Sequence, residues 1–292
     1  MHDDLRVVFE SRNRAACADR SLVLSAAGIP HQVVSDEGGS AIVVPAELSG
    51  QAAEELRLYD EENPPQQPKP AARIETMDPV PGVVAYLLVI VGVAWLDAAG
   101  AFGEIWRNVG RIDGELFRNG ELWRSVTALT LHGGLEHLAG NIVFGALFGT
   151  FAGRFAGSGV AWLTILLCAA LGNGVNTLLL EETHRSIGAS TAVFAALGLA
   201  SGFAWRARVF RDERWTYRVG PIVGGLALLM FTGTGDSNTD IGAHLMGFVA
   251  GFGGGVYLTR FKTRLQSDDL QRGAGVLAIG IITLCWVIAL SS

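Results

Sequence analysis

Charge is scarce in this chain of 292 residues: only 17% are Asp, Glu, Lys or Arg, against 50% hydrophobic. With a mean hydropathy of +0.35, it is too apolar for an ordinary soluble protein, and its apolar residues fall in long blocks. Cysteine is also scarce. Cys17, Cys168 and Cys285 are isolated and odd in number, without CxxC spacing, so neither a disulfide framework nor a zinc site is implied. No metal or cofactor is expected. A sustained basic patch is missing, so nucleic acid is not an expected partner. The polar start Met1-His2-Asp3-Asp4 leads to no short apolar segment, so no cleavable signal peptide is expected. The net charge of −6 is uninformative, because acids gather near the N-terminus while basic residues punctuate the apolar blocks. The lipid bilayer is the implied surrounding.

Four units follow in order. Residues 1–62 read as a small α/β domain. Leu5–Phe9 is a strand, Ala15–Ala27 a helix ended by Gly28-Ile29-Pro30, and His31–Val34 a second strand. Glu37-Gly38-Gly39 signals a turn, Ala41–Val44 a third strand, and a last helix runs from about Glu47 to Glu62. The order βαββα predicts helices covering one face of a small sheet. Residues 63–80 hold a stiff linker, Pro64-Pro65-Gln66-Gln67-Pro68-Lys69-Pro70. Residues 81–260 form a six-span core, and 261–292 a loop and a seventh span.

The apolar blocks lie near 81–102, 134–153, 159–180, 188–206, 217–234, 240–259 and 273–290, each suited to a crossing of about 20 residues. Basic residues set the orientation. Arg154 follows the second span, Arg206 to Arg218 the fourth, and Arg260, Lys262, Arg264 and Arg272 the sixth. These loops share a side with the N-terminal domain, which is therefore expected in the cytoplasm. The long loop at 103–130, with Trp106 and Trp123, is expected to lie in the membrane interface.

Four polar side chains converge at the opposite surface. Ser190 opens the fourth span, behind the tight turn that Gly188 allows. His244 stands near the start of the sixth span, while His137 and Asn141, four apart, share a face near the start of the second. Even-numbered spans begin on one side, so all four groups lie at similar shallow depth. Singly, each has a plainer reading: Ser190 a cap, His244 an interhelical hydrogen-bond partner, His137 and Asn141 helix–helix glue. Jointly they suit nucleophilic catalysis, since polar groups within spans usually mark a site. Ser190 attacks, His244 takes its proton, and His137, Asn141 and the Ser190 N–H receive the oxyanion. Asp240, one turn before His244, reads as a cap, which leaves a dyad rather than a triad. Phe194 is placed to pack on the imidazole. Gly247, Gly251 and Gly255 form a stripe that lets α-helices approach closely, with Ala195, Gly198 and Gly202 as the facing positions. His132 reads as structural and His184 as a solvated loop residue.

These pieces resemble a rhomboid intramembrane serine protease. The matching segments are Glu121-Leu122-Trp123-Arg124, His132 with His137-xxx-Asn141, Gly188-Ala189-Ser190, and Ala243-His244-xx-Gly247-xxx-Gly251, in order over about 80–260. The resemblance implies an α-helical polytopic fold, with Ser190 as nucleophile, His244 as base and His137 and Asn141 as oxyanion donors. It implies membrane-protein substrates whose helix unwinds easily, and it puts the family's Trp-Arg motif on Trp123-Arg124. Thr191 departs from the usual Gly, and Phe194 from the usual Tyr. A bacterial inner membrane is the expected location.

A second reading is a non-catalytic relative that binds membrane clients. A transporter is disfavoured, because no acid or base stands at mid-membrane depth.

Overall fold

The computed structural model describes residues 4–36, 39–64, 76–207, 223–224 and 240–292. The chain divides into two compact units, Met1–Ala71 and Ala72–Ser292.

In the first unit, β1 (Leu5–Ser11), α1 (Arg14–Ala26), β2 (Gln32–Ser35), β3 (Ser40–Pro45) and α2 (Ser49–Glu62) build an antiparallel sheet of order β1-β3-β2 with two helices. Alternation along β3 decides which face is covered: Ser40, Ile42 and Val44 are buried, and their neighbours less so. Ile42 and Val44 meet Leu24, Ile29, Ala52 and Leu56 in one small core. Asn13 caps α1 through the Ala15 N–H, and Gly28 ends the turn after it at φ +71°. Part of the turn expected at 37–39 lies outside the described residues.

The second unit is helical. Its long helices are α3 (Val80–Ala98), α7 (Leu135–Ala156), α8 (Ser158–Leu179), α9 (Ser190–Ala207), α10 (Ile241–Leu258) and α12 (Asp268–Ser291). Between α3 and α7 the chain makes short pieces: α4 (Trp106–Gly110), β4 (Ile112–Asp113), α5 (Gly114–Arg118) and α6 (Arg124–Thr127). A two-residue β5 (Arg185–Ser186) pairs with β4, and α11 (Lys262–Leu265) links α10 to α12.

Five helices among the described residues are long and apolar enough to cross a membrane: α3, α7, α8, the α10–α11 stretch and α12. This is a multi-pass membrane protein. The apolar block expected at 217–234 lies outside the described residues apart from 223–224.

α9 is different. Of its 18 described residues 13 are buried, and it packs against α7, α8 and α10. It is rich in Ala, Gly and Ser, the small residues that let surrounding helices come close. Its closest partner is α10. A methyl group added to Gly251 or Gly255 would overlap the carbonyls of Ala195 or Leu199, and one on Gly198 or Gly202 those of Phe248 or Phe252. The two glycine stripes mesh, bringing backbone against backbone. That close approach sets the distance between whatever side chains the two helices carry at their starts.

Candidate active site

Ser190 is the first residue of α9 and His244 lies in the first turn of α10. Ser190 Oγ stands 2.6 Å from His244 Nε2. If Nε2 accepts the hydroxyl proton, Nδ1 carries the ring proton. His244 Nδ1 is buried and has no hydrogen-bond partner among the described residues. The ring is held from its face instead: Phe194 stacks on it with centroids 4.7 Å apart and planes 28° from parallel.

Asp240 does not orient this ring. It is the N-cap of α10, accepting from the Ala243 N–H at 3.0 Å.

Gly188 sits at φ +138°, a conformation that L side chains rarely adopt. An added Cβ there would stand 2.6 Å from His137 Cε1 and 3.4 Å from Ser190 Oγ. The His137 ring therefore lies against the turn that delivers the serine. Asn141, also on α7, is buried and donates through Nδ2 to the His137 carbonyl at 3.0 Å, which leaves its second N–H free of that bond. His137, Asn141, Ser190, Thr191, Phe194 and His244 all line one cavity of about 1310 Å³. Further lining comes from Gly133 to Glu136 and from Ile241 and Gly242, so the cavity lies at the end of the bundle where α7, α9 and α10 begin. A second cavity, of about 750 Å³ between α3, α8 and α12, is lined by no histidine.

The sequence around these residues matches a family model. A rhomboid domain model covers residues 119–261, which contain Ser190, His244, His137 and Asn141. A rhomboid domain thus spans residues 119–261, and three curated relatives support a rhomboid family protein. It is 30% identical over 179 residues to the Toxoplasma gondii protein "Rhomboid-like protease 3", covering 60% of this chain and 65% of that one. With "Rhomboid protease GluP" of Bacillus subtilis it shares 32% identity over 144 residues, 49% of this chain and 27% of GluP. A second Bacillus subtilis protein, YdcA, provisionally named a rhomboid protease, is 28% identical over 174 residues, 58% of this chain and 85% of YdcA. The chain thus spans less than two thirds of the length of the first two relatives.

In this rhomboid protein the two departures from the family pattern have local explanations. The Thr191 methyl faces α10: a Cβ on Gly247 would stand 2.9 Å from Thr191 Cγ2 and 2.6 Å from the Thr191 carbonyl. Gly247 thus makes room for the branched side chain. Phe194 needs no hydroxyl to stack.

The Trp-Arg pair belongs to the packing of the long loop. Arg124 is 4% exposed and spends its donors on Glu121 Oε2 at 2.6 Å and the carbonyls of Asn108 (3.2 Å) and Arg111 (2.9 Å). Trp123 packs, partly buried, beside Trp106, Leu131 and Trp286.

The sequence reading missed three features. Tyr86 on α3 donates to the Asn141 carbonyl at 2.7 Å and stacks on Trp162. Arg118 caps the end of α8 through the Thr177 carbonyl at 2.8 Å. His184, expected to be solvated, is instead half-enclosed, with Nε2 3.0 Å from Asp240 Oδ2. No local pattern marks any of these, since each joins residues more than 50 positions apart.

The loop before Ser190 is pinned to the segment before α7. Gly188 N–H donates to the Ala128 carbonyl at 2.9 Å, Gly114 N–H to that of His184 at 2.9 Å, and Arg185 Nε to Asp113 Oδ2 at 2.9 Å. Burial alone would push the Asp113 carboxyl up. The Arg185 guanidinium and the Leu116 N–H outweigh it and hold it below the usual carboxylate range.

Proposed function

We propose that this rhomboid protein is an intramembrane serine endopeptidase that cleaves transmembrane substrates near the extracytoplasmic face through a Ser190–His244 dyad. The observation that carries the reading is the 2.6 Å separation of Ser190 Oγ and His244 Nε2 inside an open cavity that His137 and Asn141 also line. As Oγ attacks the scissile carbonyl, Nε2 takes its proton. The tetrahedral oxyanion is received by the Ser190 N–H, the free N–H of Asn141 and His137. Loss of one such donor typically costs about 100- to 1,000-fold in rate. The imidazolium then protonates the leaving amine, the new amine end departs, and an acyl-enzyme ester remains on Ser190. Water, activated by the same nitrogen, releases the acid half and restores the hydroxyl.

A substrate helix hides its peptide bonds, so substrates are segments that unwind readily near the cavity. Water reaches Ser190 through the end of the bundle where α7, α9 and α10 begin. Arg154, Arg206 and Arg260 stand at the other ends of those helices, which supports a cytoplasmic N-terminus and, by the positive-inside rule, a cleavage site facing outward. A bacterial inner membrane is the setting we assign, with residues 1–62 as a cytoplasmic binding or regulatory head, 63–80 as linker, 81–260 as catalytic core and 261–292 as an added span.

The competing reading, a membrane-client binder without chemistry, does not require a nucleophile in contact with a base. The two separate on a serine-directed reagent. A fluorophosphonate should label the wild-type protein covalently and leave Ser190→Ala and His244→Ala unlabelled. Equal labelling of wild type and Ser190→Ala contradicts the assignment of the nucleophile.

A further inference from the structure

A polar knot at the start of α10 serves no step of the reaction above. The Asp240 carboxylate accepts from three donors: Asn176 Nδ2 approaches both oxygens at 2.8 and 2.9 Å, His184 Nε2 one at 3.0 Å, and the Ala243 N–H the other at 3.0 Å. An ionised carboxylate is acceptor-only, so the His184 ring must donate through Nε2. Helix capping explains the Ala243 contact and nothing else. The other partners come from the last turn of α8 and from the loop that precedes the serine. Gly242 is shaped for them, because a methyl group there would overlap Asn176 Oδ1.

We propose that His184 is a positioning residue: with Asp240 and Asn176 it clamps the loop carrying Ser190 to the start of the helix carrying His244, and so fixes the Oγ–Nε2 distance. This inference rests on the dyad reading. The geometry gives His184 two opposite attachments. Its carbonyl accepts the Gly114 N–H at 2.9 Å, which fastens the loop to the segment before α7; its ring reaches across to α10. The neighbouring contacts, Arg185 to Asp113 and Gly188 to Ala128, hold only the first of these sides. Among the hydrogen bonds of the described residues, the His184 ring is what joins residues 181–189 to the cap of α10. His184 precedes Ser190 by six positions and Asp240 precedes His244 by four, so both ends of the clamp lie close to the reacting atoms. A shift of about 1 Å at such a pair can cost on the order of 100-fold in rate. The glycine stripes set the approach of α9 and α10 as bodies; the clamp sets the register of their starts.

The test uses the full chain in detergent, with a model transmembrane substrate, a fluorophosphonate and thermal unfolding. His184→Ala and Asp240→Asn should lower kcat and the labelling rate by about 10- to 100-fold while KM stays within about twofold. His184→Gln, which keeps a donor at similar reach, should recover most of the loss at unchanged melting temperature. Wild-type rates in a folded His184→Ala protein overturn the clamp. So does a loss in all three variants that merely follows lost thermal stability, since that is a structural role only. If His184→Ala fails to fold, the comparison of His184→Gln with Asp240→Asn decides: equal rates overturn the clamp. Wild-type protein that neither cleaves nor labels overturns the dyad and the clamp with it, whereas active wild type beside unaffected variants overturns the clamp alone.

Discussion

Gly188 holds φ +138° with the His137 ring packed where a Cβ would stand, so two independent constraints meet on one residue. Gly188→Ala adds backbone strain of about 1–3 kcal/mol and pushes the ring away from the turn. We expect cleavage to fall at least about 100-fold, as for loss of an oxyanion donor, with a lowered melting temperature. Activity and thermal scans on the purified variant check this. The turn itself was legible in the sequence, because a glycine two residues before a serine at a helix start needs little else to suggest it. The approach of His137 was not, since the two lie 51 positions apart. The same contrast holds at Arg124. In sequence it is half of a Trp-Arg motif with no visible partner; burial at 4% exposure, with donors committed to Glu121, Asn108 and Arg111, ties it into the packing of the long loop.

At the scale of elements, the pairing of α9 with α10 brings His244 to Ser190. Its glycine periodicity was visible as Gly247, Gly251 and Gly255 against Ala195, Gly198 and Gly202, because close helix packing in a membrane selects small residues at regular spacing. Gly251→Ala should overlap the Ala195 carbonyl and cost about 1–3 kcal/mol, seen as a lower melting temperature and slower cleavage. Gly253→Ala, with nothing within 4 Å of the new methyl, should leave both near wild type. Equal effects from the two would place the helix contact on another face. The short elements between α3 and α7 escaped sequence reading, since pieces of two to five residues carry no period. Their attachment to the serine loop through Asp113 and Arg185 yields a pH dependence. The Asp113 carboxyl is held below its ordinary range in the folded state, so its stabilisation is complete above that range and fades as the pH falls through it. Arg185 is largely exposed, so the effect is below about 1 kcal/mol. Thermal scans at falling pH should show part of the acid-side loss disappear in Asp113→Asn.

For the whole molecule, scarcity of charge and the long apolar blocks sufficed to read a multi-pass membrane protein, because a bilayer admits few other uses for such segments. α9 fits that rule least well. Rich in Ala, Gly and Ser, it is the most enclosed of the described long helices, as expected where neighbouring helices rather than lipid supply the contacts. The cross-links that hold the site together are distributed over the whole fold: α3 reaches Asn141 through Tyr86, α8 reaches Asp240 through Asn176, and α12 reaches Thr130 through Trp286. None of the three has a sequence signature. They convert a loose set of spans into a frame that holds Ser190 and His244 in contact. The most direct test of that frame's purpose is cleavage of a model transmembrane substrate by the purified protein, wild type beside Ser190→Ala and His244→Ala. We expect the wild type to cut at a defined bond and both variants to leave the substrate intact while retaining their fold. Cleavage that persists in folded Ser190→Ala would contradict the account.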